Sequence, residues 1–123
     1  MNQNTQLTPF FVQVSARSGE VASRIVSQVI LAPNESLAQD YAIFSIATIQ
    51  SSLEWGHIDG AYEMGWEWAH EHHGVQKMTE EQLSVTSEFL KPITFNLDDL
   101  INCGGDWLEH NEEYNPNTSE SEV

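Results

Sequence analysis

A chain of 123 residues is the size of one ordinary domain and can bury a core without disulfides or a structural metal. Nineteen Asp and Glu against four Lys and Arg give a net charge of −15, which disfavours nucleic acid and anionic membranes as direct partners and favours a basic protein surface. The 40% hydrophobic content separates it from an acidic disordered chain, so a single α+β domain over 1–110 with a disordered acidic tail over 111–123 is expected.

The single cysteine, Cys103, closes no intrachain bridge, and residues 1–11 lack the basic and then apolar pattern of a secretory signal. A cytoplasmic protein is expected, in the host cytoplasm if it is phage-encoded. The charge is unevenly placed: residues 1–50 sum to −1 and residues 51–123 to −14. A field of one sign destabilises the compact state through self-repulsion, so its location needs a reason.

In chain order, Phe10, Val12 and Val14 alternate with Phe11, Gln13 and Ser15, a period of two that predicts a strand. Arg17–Glu20 is turn chemistry, and the β-branched run Ser23–Leu31 then completes a hairpin; a helix over 20–31 is the competing reading, disfavoured by that β-branched content. Asn34 caps a helix from Glu35 whose inward face carries Leu37, Ala38, Tyr41 and Ala42. The N-terminal unit is therefore read as ββα over about 8–55. After a break at Gly56–Gly60, Asp59 is expected to cap a helix running to His73 and ending at Gly74. Thr79–Gln82 is a capping box, with Pro92 closing the segment, and a short helix is predicted from Asn96 to about Gly104, with another turn over 106–110.

On a helix from Asp59, residues advance by about 100°, so Asp59, Glu63, Glu67 and Glu71 form one stripe, with Trp66 at its border. Like charges four residues apart cost about 0.2–0.5 kcal/mol a pair, and no lysine or arginine in the segment offsets them. Glu54 marks the start of the acidic region, and Asp98, Asp99, Asp106, Glu109, Glu112 and Glu113 form a second group. The bland reading of all these carboxylates is solubility. The sharper one is that they stand in for the phosphates of a nucleic acid and occupy the basic groove of a nuclease, a restriction or CRISPR effector, or a repressor. The rise along such a stripe is about 6 Å per carboxylate against about 3.4 Å per phosphate on a DNA strand, comparable rather than matched.

In charge, size and compartment the chain resembles small phage-encoded inhibitors, the anti-CRISPR and anti-restriction DNA mimics. That resemblance implies an inhibitor acting by protein–protein contact. No nucleophile motif surrounds Cys103, and the sequence carries no phosphate loop or dinucleotide fingerprint, so neither an enzyme nor a cofactor is expected. Two alternatives remain open. One is an immunity protein or antitoxin covering the active site of a basic toxin. The other is a metal-binding protein using two Glu-x-x-His units, Glu54 with His57 and Glu67 with His70, a spacing that puts a carboxylate and an imidazole on one helical face. A free strand edge beside Phe11 also makes a homodimer an option.

Overall fold

The computed structural model describes residues 6–18, 24–56, 59–63, 67–103 and 106–114. The expected turn at Gly19, and also His57, Trp66, Gly104, Gly105 and the chain beyond Tyr114, lie outside the described residues. The fold is mixed α+β: six strands in one sheet, ordered β3-β4-β5-β1-β2-β6, with three helices.

β1 (Thr8–Arg17) and β2 (Arg24–Ala32) pair antiparallel, with Phe10 opposite Ile30 and Val14 opposite Val26. Their alternation decides which face is buried. Phe10, Val12, Val14 and Ala16 point into the core, while Phe11, Gln13 and Ser15 are only half-buried on the other face. The chain over 24–32 is thus strand and not helix, because its branched side chains pack across β1.

α1 (Glu35–Ile46) starts where Asn34 accepts a hydrogen bond from the Leu37 N–H at 2.9 Å. It lies across the inner face of the sheet, burying Leu37, Ala38, Tyr41, Ala42 and Ile43 against β1, β2 and β5. The core is completed by Leu53, Trp55, Leu100 and Trp107.

The expected helix over 59–73 is not formed. β3 (Glu54–Trp55) precedes that stretch, β4 (Gly60–Glu63) and β5 (Trp68–Lys77) occupy most of its described residues, and β5 runs antiparallel to both β4 and β1. The expected helical half is therefore a mixture, with β4, β5 and a further edge strand beside two short helices. Two periodicities coexist in this segment: the acids repeat every four residues, while Trp68, His70 and His72 alternate with Ala69, Glu71 and His73. The second wins because β1 presents an unpaired edge that the segment satisfies along its whole length. Gly60 shows how tightly the chains approach. Its φ is +152°, and a Cβ there would sit 1.9 Å from the His70 carbonyl oxygen, so only glycine lets β4 reach β5.

α2 (Glu80–Thr86) begins at a complete capping box between Thr79 and Gln82. β6 (Ile93–Thr94) then adds parallel to β2 at the sheet edge. α3 (Leu97–Asn102) is capped by Asn96, and two 3-10 turns follow, Leu108–His110 and Glu112–Tyr114. Tyr114 stacks on Trp107 with ring centres 5.6 Å apart, so the chain stays packed to that residue.

Candidate protein-docking surface

Directly opposed residues on paired strands share a face of the sheet. Ala61 opposes His70 and Glu63 opposes Trp68, so Glu63 and His70 lie on the inner face with Val14 and Ala16. Glu71 opposes Ser15 and Gly60 and lies on the outer face. The predicted stripe of Asp59, Glu63, Glu67 and Glu71 is thus split between two faces, a strand end and a turn. It does not exist as a surface feature.

Glu63 is the largest correction. Only 1% exposed, its carboxylate meets His70 Nε2 at 2.8 Å and accepts a hydrogen bond from the Ile49 N–H. A carboxylate so placed is held by partners inside the protein and is unavailable to another molecule. Glu71 instead forms an ion pair with Arg17 at 3.3 Å on the exposed side, a contact worth little to stability. Glu67 and Asp59 are exposed, and the Asp59 carbonyl accepts from the His72 N–H at 2.7 Å.

The C-terminal group divides in the same way. Asp99 accepts a hydrogen bond from the Tyr41 hydroxyl, tying α3 to α1. Burial, with the Asp99 hydrogen bond and charge added, raises the Tyr41 hydroxyl above its ordinary pKa. Both oxygens of Asp106 receive the Trp55 N–H at 3.1 Å, which closes the outer edge of β3. Asp98, Glu109, Glu112 and Glu113 remain exposed.

Asp40, which sequence analysis did not single out, explains how the C-terminal segment is held. It is 8% exposed, receives the Trp107 Nε1–H at 3.0 Å, and meets His72 Nε2 at 3.1 Å. Its inward position was readable, since it lies three residues after Leu37 and one before Tyr41 on the buried face of α1. The other signal missed was that the His70 partner would be Glu63, seven residues back across a turn, and not Glu67.

These ties bring Asp106 to the β3 edge, and the His110 ring lies over Gly56, where a Cβ would be 2.3 Å from it. Because β3 and β4 pair antiparallel, Asp59 stands at the same end of that hairpin as Gly56. The β3–β4 hairpin, which carries Glu54 and Asp59, and the 106–110 segment, which carries Asp106 and Glu109, therefore meet at one corner of the sheet. The arrangement is an acidic rim at the β3 edge, not a helical stripe.

The paired Glu-x-x-His arrangement is not assembled among the described residues. Glu67 is exposed in a turn while His70 is buried against Glu63, so the second Glu-x-x-His unit is not assembled, and His57 of the first lies outside the described residues. Among the described residues no three His, Cys, Asp or Glu side chains approach closely enough to hold a metal ion. Nor is any described helix long and apolar enough to cross a membrane.

Cys103 is buried, and burial chiefly pushes its thiol up from 9.0 to about 11. Since the unfolded thiol ionises first as pH rises, this group withdraws stability between about pH 9 and 11 and none below. At pH 8 the native protein is expected to resist iodoacetamide for hours and the urea-unfolded chain to react promptly; equal rates would show that Cys103 is accessible.

No family model matches the chain, and neither a curated protein nor a solved structure matches it at a significant level.

Proposed function

We propose that the protein is an acidic inhibitor that binds a basic nucleic-acid-handling protein, such as a nuclease or a restriction or CRISPR effector, and blocks its nucleic-acid groove. The observation carrying this reading is that, beside the carboxylates held internally, six others are exposed with no ion pair among the described residues. Asp40, Glu63, Asp99 and Asp106 hold the fold together and Glu71 is paired with Arg17. Asp59, Glu67, Asp98, Glu109, Glu112 and Glu113 stay exposed, with Glu54 half-buried at the same edge as Asp106. Solvation alone would be served by mixed signs, whereas a single sign selects a cationic partner and speeds its encounter.

The test is retention on immobilised protein from a bacterial lysate, with elution by duplex DNA or RNA. The retained partner is expected to be a basic nucleic-acid-binding protein, released by nucleic acid and by raising salt from 50 to 500 mM. Exchanging Asp59 and Asp98 for Asn, and Glu67 and Glu109 for Gln, should together weaken binding at least tenfold and flatten its salt dependence. A partner that nucleic acid fails to displace would overturn the inhibitor reading.

A further inference from the structure

The acids leave one conspicuous surface feature unexplained. Phe89 is 80% exposed and Val85 61% exposed, the two most exposed large apolar side chains among the described residues. Both belong to α2 and its continuation. α2 ends at Thr86 with Ser87 as its C-cap, and tight turns follow, in which the Phe89 and Leu90 N–H groups both bond to the Thr86 carbonyl at 2.8 Å, so the chain to Leu90 keeps a roughly helical course. At about 100° per residue, Glu81, Val85, Glu88 and Phe89 share one face. All four are exposed, while Leu83, Thr86 and Leu90 on the other face are half-buried. Thr86 and Gln82 line a small cleft with Phe11, Gln76 and Met78. The segment thus presents to solvent an apolar pair bracketed by two glutamates.

We infer that the Val85–Phe89 face of α2 is a second contact surface, which inserts into an apolar pocket rimmed by Lys or Arg on the partner protein. It deepens the inhibitor reading and takes from it the basic character of that partner. An amphipathic helix recognised in a groove uses apolar anchors at this spacing, and an aromatic ringed by polar groups is the usual form of an interface hot spot. Glu81 and Glu88 supply the charge complement on the same face, with Lys77 and Lys91 confined to the two ends of the segment. The competing occupant is a second copy of this chain, whose own apolar groove between Pro33, Leu37, Phe95, Leu97 and Tyr114 is a possible receptor. A charge of −15 on each copy opposes that association and favours a cationic partner.

The experiment compares the parent with Val85→Ser/Phe89→Ser and with the four-acid variant above, each checked for unchanged thermal unfolding. The partner retained from the lysate is purified, and affinities are measured at 100 and 300 mM salt. Removing the apolar pair is expected to weaken binding about 30-fold or more at both salt concentrations, leaving the salt dependence as in the parent. Parent-like affinity of the apolar variant beside weak binding by the acid variant would overturn the inference and leave the inhibitor reading standing. A large loss with a partner that nucleic acid does not displace would do the reverse. Retention of no protein by the parent overturns the inference, as does a parent dimer at micromolar concentration that Val85→Ser/Phe89→Ser abolishes.

Discussion

Glu63→Ala is expected to destabilise the protein by about 3–5 kcal/mol, since it strands two buried hydrogen-bonding groups at about 1–3 kcal/mol each and leaves a cavity. Glu63 is 1% exposed and its two oxygens serve His70 and the Ile49 N–H, so the substitution strips a partner from both. Glu63→Gln keeps an acceptor for Ile49 and should cost less. Adding His70→Leu to Glu63→Ala removes the stranded imidazole and should recover part of the loss, although the Ile49 N–H still lacks its acceptor. Glu67→Gln, four residues on but exposed, should stay within about 0.5 kcal/mol of the parent. Urea unfolding decides the matter: equal midpoints for Glu63→Ala and Glu67→Gln would mean that Glu63 faces solvent.

Trp107→Ala should cost a similar amount, about 3–5 kcal/mol, because the ring is fully buried and its removal leaves a cavity that only partly collapses. The loss goes beyond packing. Trp107 donates to Asp40 at 3.0 Å, its carbonyl receives Asn111 Nδ2 at 2.9 Å, and its ring stacks on Tyr114. Trp107 is the pin that holds the 106–114 segment against the β3 edge, and with it the placement of Glu109, Glu112 and Glu113. Trp107→Phe keeps most of the volume but removes the donor to Asp40, for an expected cost of about 1–3 kcal/mol. In Trp107→Ala, limited proteolysis is expected to cut within 106–114 under conditions where the parent is intact. Binding to the basic partner should fall as well, since the exposed acids of that segment are no longer held in one arrangement. Resistance to cleavage equal to the parent's would show that other contacts fix the segment.

Both predictions concern groups whose charge or bulk was visible in the sequence but whose neighbours were not. Where structure is set locally, the sequence was sufficient. The alternation of Phe10, Val12 and Val14 marked β1 and its buried face, the β-branched run marked β2, and Asn34, Thr79 and Asn96 each cap the helix expected of them. A cap is satisfied by the next three residues, and a strand's two faces follow from a period of two. Neither requires knowledge of distant residues.

Residues 59–73 failed that condition. The four-residue spacing of their acids suits a helix, and nothing within the segment contradicts it strongly apart from Gly60 and Gly65. The segment becomes β4 and β5 because β1, some fifty residues earlier, has an edge to pair and a core face to cover. The same pairing carries Glu63 inside to His70 and leaves Glu71 outside with Arg17.

By itself, then, the sequence determined an acidic α+β chain, its N-terminal strand pair, its helix caps, and the sign and size of its charge. The tertiary structure alone decided which carboxylates stay exposed to another molecule. Charge is a property of composition, whereas availability depends on which donors a fold brings within hydrogen-bonding reach: Trp107 for Asp40, His70 for Glu63, Tyr41 for Asp99, and the Trp55 N–H for Asp106.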